Sequence, residues 1–378
     1  MQKCLVIGGS NGIGLAISLQ LAREAAYVAI VDRVEPEITL SKNISYRCVN
    51  LLDTDYSFLN EYADIDTLII TAGFGRVAPF DHILPKEIDN SFRVNSVSVM
   101  QVLHYYFPRM CKQEPFNCAV IGSIAGLVVS PLFALYGATK AAICNGIESL
   151  NIELDRAGSA NRILNISPGS IKGTRFNGEP NDLFQMEGLA LEIISRMQEH
   201  ETLFIPQYEE VFKGVLERYH TDAHQFGVDS YNYKLQNGRL SSKPQVKIGY
   251  LSGTFDLFHI GHLNMLRRAK QYCDYLVVGV HKDASHKGKT AFIPFEERVD
   301  IVKNIKCVDQ VIESEPEDSD VWTKGIVRYD YLFVGSDYKG TERFNRYEEY
   351  FKDKGVQIIY FPYTQGTSST QLRKAIDK

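Results

Sequence analysis

The 378-residue sequence predicts an α/β chain of two units, each built on a parallel sheet. Three observations carry that expectation. Apolar runs of strand length alternate with helical patterns in both halves, a glycine-rich turn ends the first run, and a turn rich in glycine and histidine follows another run near residue 250. The length exceeds one average domain, and 44% hydrophobic residues suffice for two cores.

In the first unit, residues 4–8, 27–31, 67–71, 118–122 and 162–167 read as buried strands, the rhythm of a doubly wound parallel sheet. Residues 189–200 and 208–219 carry charged and apolar residues at helical spacing. This unit spans 1–235. Residues 236–245 hold Asn237-Gly238, Ser241-Ser242 and Pro244, which suits a linker. Over 246–378 a smaller α/β sheet is expected, with strands at 246–251, 274–280, 331–335 and 357–361 and a helix at 263–272. No internal repeat relates the halves.

Composition narrows the partners. The net charge of −5 offers no global attraction to nucleic acid or an anionic membrane, so small phosphorylated molecules are expected instead. No apolar run reaches the roughly 20 residues that span a bilayer, and Met1 leads straight into a strand pattern with no secretory signal. The seven cysteines are scattered without a C-x-x-C pair, which predicts reduced thiols, a cytoplasmic setting and no metal site.

The first turn is Gly8-Gly9-Ser10-Asn11-Gly12-Ile13-Gly14, between a strand and a helix start. Missing side chains at Gly8, Gly12 and Gly14 let backbone N–H groups approach a pyrophosphate at the helix N-terminus, although ordinary turn chemistry produces such runs too. Asp32 closes the second strand, where its carboxylate can accept both ribose hydroxyls of an adenosine and repel a 2′-phosphate. This favours NAD(H) over NADP(H), while Arg33 beside it offers the opposite pairing.

Ala72-Gly73, Asn95, Ser123, Tyr136 with Lys140, and Pro168-Gly169 follow in order. Tyr136 and Lys140 stand one helical turn apart on one face, so the ammonium is expected to lower the phenol pKa from about 10 towards neutrality. Tyr136 can then protonate a carbonyl oxygen as hydride reaches the carbon.

This set resembles the short-chain dehydrogenase/reductase family over residues 1–200 or so. The resemblance implies a Rossmann-type fold and a nicotinamide cofactor held by Gly8, Ser10, Asn11, Gly12, Ile13, Gly14, Asp32, Ala72, Gly73, Lys140, Pro168, Gly169 and Thr174. It also implies that Ser123 holds the carbonyl oxygen, Lys140 binds the nicotinamide ribose and Asn95 positions a proton-relay water. The run from Pro168 to Thr174 is one residue longer than the family's P-G-x-x-x-T. Lys172 and Arg175 in that loop are candidates for a substrate phosphate.

The second motif joins Gly253-Thr254-Phe255-Asp256 to His259-Ile260-Gly261-His262, ahead of the predicted helix. Two imidazoles at a helix N-terminus suit an anion and can donate hydrogen bonds to a triphosphate as charge builds at its α-phosphorus. A zinc site is the competing reading, without a convincing carboxylate or cysteine set. These motifs resemble the cytidylyltransferase superfamily, a Rossmann-like nucleotidyltransferase fold, and 246–378 is similar to bacterial glycerol-3-phosphate cytidylyltransferases.

That likeness implies CTP as substrate, Mg²⁺ carried mainly by the nucleotide phosphates, and His259 and His262 as catalytic groups. It assigns nucleotide or phosphate contacts to Gly253, Thr254, Phe255, Asp256, His259, His262, Lys287, Lys289, Arg298, Ser368, Ser369 and Thr370. Tyr363 and Gln365 replace the family's arginine and glutamate, which changes the charge at the site.

Joined, the motifs predict reduction of a ketose phosphate or related carbonyl to a polyol phosphate, then CTP-dependent formation of a CDP-polyol of the glycerol or pentitol type, used for cell-surface polysaccharides. Both families commonly self-associate, which implies a homo-oligomer. One rival makes the first unit a nucleotide-sensing or oligomerising module. Another makes the transferred group AMP, because HxGH also serves adenylyl transfer.

Overall fold

Strand β1 (Lys3–Ile7) is apolar on both faces: Leu5 and Ile7 enter one core cluster, Cys4 and Val6 the other. A strand of that kind belongs inside a parallel sheet with helices on either side. In this computed structural model such a sheet organises the first of two units, Met1–Lys243 and Pro244–Lys378. The structure describes residues 2–174, 176, 179–237, 240, 247–283, 290–362 and 372.

The first sheet adds β2 (Tyr27–Asp32), β3 (Ile44–Cys48), β4 (Thr67–Ile70), β5 (Asn117–Ile121), β6 (Ile163–Ile166) and β7 (Leu203–Phe204). Their order is β3-β2-β1-β4-β5-β6-β7, and every pairing is parallel. Around it lie α1 (Gly12–Leu21), α2 (Pro85–Phe92), α3 (Ser98–Met110), α4 (Ala134–Arg156), α5 (Leu183–Gln198), α6 (Lys213–Thr221) and α7 (Ala223–Gln236). Helix α5 starts earlier than its spacing predicts because Asp182 caps it, accepting the Gln185 N–H at 3.2 Å. Asp222 does the same for α7, accepting the Gln225 N–H at 2.8 Å, and α7 runs to Gln236, one residue into the expected linker.

The second sheet contains β8 (Ile248–Gly253), β9 (Tyr275–Val280), β10 (Gln310–Glu313), β11 (Tyr331–Gly335) and β12 (Gln357–Phe361), in the order β10-β9-β8-β11-β12, again all parallel. Its helices are α8 (Ile260–Lys270), α9 (Phe295–Lys303), α10 (Asp318–Thr323) and α11 (Glu342–Phe351). Leu251 and Tyr250 face opposite clusters, repeating the two-sided burial of β1.

In each sheet the strand order reverses beside the first strand, between β1 and β4 and between β8 and β11. Connections leave such a point in opposite directions, opening a crevice at the carboxyl ends of the strands. Both sequence motifs begin there. Among the described residues no helix is long and apolar enough to cross a membrane.

Candidate functional site

The glycine-rich turn is built by close approach. Gly8 adopts φ +90°, and a Cβ on it would lie 2.4 Å from the Ala72 nitrogen; one on Gly14 would lie 2.3 Å from the Gly8 oxygen. The turn is thereby pressed against Thr71-Ala72 beyond β4. Ser10 donates its N–H to Asp32 at 3.1 Å, while its hydroxyl is buried without a hydrogen-bond partner. Asp32 also accepts the Arg33 N–H at 2.7 Å. A backbone cradle that excludes Cβ atoms, with an orphaned hydroxyl and a carboxylate beside it, fits a dinucleotide phosphate and ribose.

Thr174 is buried next to this turn, its Cγ2 3.7 Å from where a Gly12 Cβ would sit, and its hydroxyl donates to the Ile171 carbonyl at 2.9 Å. Ile13 packs on the adjoining core. Asn181 accepts the Gly12 N–H and donates to the Asn11 side chain, both at 3.1 Å. Sequence spacing does not single out Asn181, because it reaches the turn from about 170 positions away.

Asn95, Ser123, Tyr136 and Lys140 are all buried in the same unit. Asn95 sits in a π-helical turn, Arg93–Val97, a distortion frequent at functional sites. It accepts the Phe74 N–H at 3.0 Å and donates to the Phe74 carbonyl at 2.8 Å and Thr139 at 3.1 Å, tying the loop after Gly73 to α4. Lys140 donates from Nζ to the Ile121 carbonyl at 2.7 Å.

Burial holds the Tyr136 phenol well above the usual tyrosine range, and a hydrogen bond with Ser123 only partly offsets it. Burial also pushes Lys140 down, to about 8. The expected lowering of Tyr136 by Lys140 is therefore corrected. The ammonium is directed to a backbone carbonyl, 5.7 Å from the Tyr136 ring centre, and desolvation of the phenol prevails.

Gly75 and Phe176 were not legible in the sequence as neighbours of Tyr136. Phe133 stacks on its ring at 4.3 Å and Phe176 lies at 5.3 Å. A Cβ on Gly75 would come within 2.5 Å of Tyr136 Cδ2, so only glycine passes there without displacement. Phe74, Gly75, Arg76, Leu135 and Tyr136 help line a cavity of about 100 Å³. Arg76 is clamped by both Glu87 oxygens at 2.8 and 2.9 Å, which fixes one wall. Beyond β6, the Pro168 carbonyl accepts the Ile124 N–H at 3.0 Å, and Gly169 lies against the Phe212 ring. Lys172 is exposed, and Arg175 lies outside the described residues.

In the second unit, β8 ends at Gly253 and the chain enters α8 through two strained positions, Phe255 at φ +53° and Leu257 at φ +48°. Left-handed non-glycine residues cluster at ligand sites, where surrounding contacts hold the strain. His259 caps α8, accepting the Gly261 N–H on Nδ1 at 3.0 Å, and His262 Nδ1 accepts the His259 N–H at 3.4 Å. The rings stack at 4.1 Å. Acceptance at both Nδ1 atoms places the proton of each neutral ring on Nε2. Burial lowers the His259 pKa, favouring that neutral form. The Thr254 hydroxyl is buried without a hydrogen-bond partner.

Two residues expected at the nucleotide are committed to the protein backbone. Asp256 accepts the N–H groups of Phe292 at 3.1 Å and Ile293 at 3.0 Å. Arg298, 1% exposed, donates to the carbonyls of Ile293, Thr254, His281 and Lys282. It braces the motif from beneath. His281, beyond β9, is buried and bonds from its N–H to the Gly253 carbonyl at 3.0 Å, a placement sequence spacing does not reveal. Lys287, Lys289, Ser368, Ser369 and Thr370 lie outside the described residues. Among the described residues no group of three or more His, Cys, Asp or Glu side chains is placed to hold a metal ion.

The short chain dehydrogenase family model matches residues 2–182, and the cytidylyltransferase-like model matches 250–375. The second region is 39% identical over 127 residues to a glycerol-3-phosphate cytidylyltransferase of Bacillus spizizenii, covering 32% of this chain and 91% of that protein. The chain is a short-chain dehydrogenase fused to a cytidylyltransferase. Its dehydrogenase unit is 29% identical over 178 residues to an uncharacterized oxidoreductase of Staphylococcus epidermidis, covering 44% of this chain and 76% of the relative. A short-chain dehydrogenase from Streptomyces avermitilis shares the fold, with TM-score 0.51 and 18% identity, across 62% of this chain and 100% of that one. The fusion is thus an enzyme with an oxidoreductase unit for a nicotinamide cofactor and a cytidylyltransferase unit for a nucleotide.

Proposed function

We propose that the dehydrogenase unit reduces a ketose phosphate or related carbonyl to a polyol phosphate, and that the cytidylyltransferase unit converts this product with CTP into a CDP-polyol and pyrophosphate. The observation that carries the reading is the fusion itself. One unit yields an alcohol, and the other is 39% identical to a protein named for cytidylyl transfer to glycerol 3-phosphate, an alcohol phosphate.

The bound nicotinamide supplies the hydride. Tyr136 gives its phenolic proton to the carbonyl oxygen, Ser123 holds that oxygen, and Lys140 stabilises the phenolate left behind. Asn95 keeps the loop after Gly73 in register with α4. Gly8, Ser10, Asn11, Gly12, Ile13, Gly14, Ala72, Gly73, Pro168, Gly169 and Thr174 line the cofactor, and Asp32 selects NADH over NADPH through the ribose hydroxyls.

In the second unit an oxygen of the polyol phosphate attacks the α-phosphorus of CTP, and the bond to the β-phosphate oxygen breaks as pyrophosphate leaves. His259 and His262 donate from Nε2 to the phosphate oxygens that gain charge, and the Thr254 hydroxyl adds a donor. Mg²⁺ travels with the triphosphate.

Incubation with NADH, CTP and a panel of ketose phosphates, followed by mass analysis, tests the reading. A CDP-polyol should form only when NADH is present. Equal cytidylylation of the unreduced sugar phosphate would show that the two reactions are not coupled, and tighter NADPH than NADH binding would overturn the role of Asp32.

A further inference from the structure

Helix α7 lies beyond the residues matched by the dehydrogenase family model, yet it grips the turn that leads into the helix of Tyr136. Lys234, buried on α7, donates from Nζ to the Ser130 hydroxyl at 2.9 Å, the Pro131 carbonyl at 2.8 Å and Ser230 on its own helix at 3.1 Å. Two turns earlier, Gly227 brings the helix backbone against Val129 and Pro131, which would lie 3.5 and 3.8 Å from a Cβ there.

The carbonyl that Lys234 holds precedes Leu132, which adopts φ +63°. A left-handed conformation is costly for a side chain with a Cβ and persists only where surrounding groups enforce it. The carbonyl of Leu132 itself accepts the Ala78 N–H at 2.7 Å. The peptide groups on both sides of the strained residue are thus pinned, one by a cation and one by the loop that lines the Tyr136 cavity. The next residue is Phe133, whose ring stacks on Tyr136 with 16° between planes.

We propose that Lys234 is a positioning residue for carbonyl reduction, holding the 130–132 turn in its left-handed form so that Phe133 stays stacked on the proton-donating ring of Tyr136. The role rests on the reduction assigned above. A charge-assisted hydrogen bond to a part-buried carbonyl is stronger than a neutral one, which suits it to restrain a strained peptide. Without the ammonium, Leu132 relaxes towards the right-handed region, Phe133 leaves the stack and the phenol loses its fixed aim. The glycine-rich turn that receives the cofactor is not part of this linkage.

Steady-state reduction by the full chain, with a carbonyl phosphate that the wild type turns over, tests the proposal. Lys234→Met should lower kcat by about 10- to 100-fold, the range expected when a reacting group is misplaced by about an ångström, while the KM for NADH stays within about twofold. In a Phe133→Ala background the same substitution should have no further effect on kcat, because the contact it supports is already gone. If Lys234→Met does not fold, Lys234→Gln retains a donor near Pro131 and serves the same comparison, with a smaller loss expected. An unchanged kcat, or an equal fold-loss in both backgrounds, overturns the role of Lys234. A wild-type enzyme that reduces no carbonyl phosphate overturns the assigned reaction and this role with it.

Discussion

Lys140 donates from Nζ to the carbonyl of Ile121 at 2.7 Å, so its ammonium is anchored at the end of β5 and not on the phenol of Tyr136. Burial pushes its pKa down to about 8, so the charge is present below that pH and lost above it. Because kcat/KM reports the free enzyme, reduction should decline as pH rises through about 8. Lys140→Arg, charged throughout, should remove that limb while lowering the plateau. A wild-type profile that stays flat to about pH 10 would show that the Lys140 charge does not govern the rate.

Tyr136→Phe should lower carbonyl reduction by about 10²- to 10⁴-fold, the usual worth of a positioned general acid. Burial keeps the phenol protonated across neutral pH, so the loss should be the same at about pH 6 and about pH 7.5. NADH binding, followed by fluorescence titration, should persist. Unchanged turnover with the true substrate would remove Tyr136 from the chemistry.

His259→Ala or His262→Ala should cut cytidylyl transfer by about 10²- to 10³-fold, as expected for loss of a preorganised donor at developing charge, and leave reduction intact. The neutral His259 already carries its donor proton on Nε2, and burial lowers its pKa. Any titration of His259 in the transfer rate should therefore lie below the ordinary imidazole value. Pyrophosphate release, measured alongside NADH oxidation in each variant, separates the two sites, and a variant that loses both activities together would contradict this assignment.

Arg298→Met should act through folding of the second unit. It strips donors from four backbone carbonyls, among them Thr254 within the nucleotide motif and His281 beside it, and leaves acceptors unpaired. A destabilisation on the order of 3 kcal/mol or more is expected from such a loss, visible as an earlier urea transition together with reduced cytidylyl transfer. Unaltered unfolding with weaker CTP binding would instead place the guanidinium on the nucleotide.

The amino-acid sequence by itself determined the parts that depend on local spacing. Residues 331–335 and 357–361 matched their strands because an apolar run long enough for one strand is sufficient information. The glycine-rich turn, the Tyr136–Lys140 step and the paired imidazoles were legible for the same reason, since each spans only a few residues of one turn or helix start. Strands β3, β7 and β10 were not: β3 and β10 are sheet edges with half-exposed residues, and β7 is two residues long.

Tertiary structure decided what those groups experience. Gly75 presses on Tyr136, Asn181 reaches the glycine-rich turn and Lys234 holds the turn before Phe133, all through contacts between segments that spacing does not connect. The direction of the Tyr136 shift and the backbone partners of Arg298 follow from the same cause. Spacing along a helix places two groups on one face, but desolvation and hydrogen-bond partners depend on every segment packed around them, and these come together only when the chain folds.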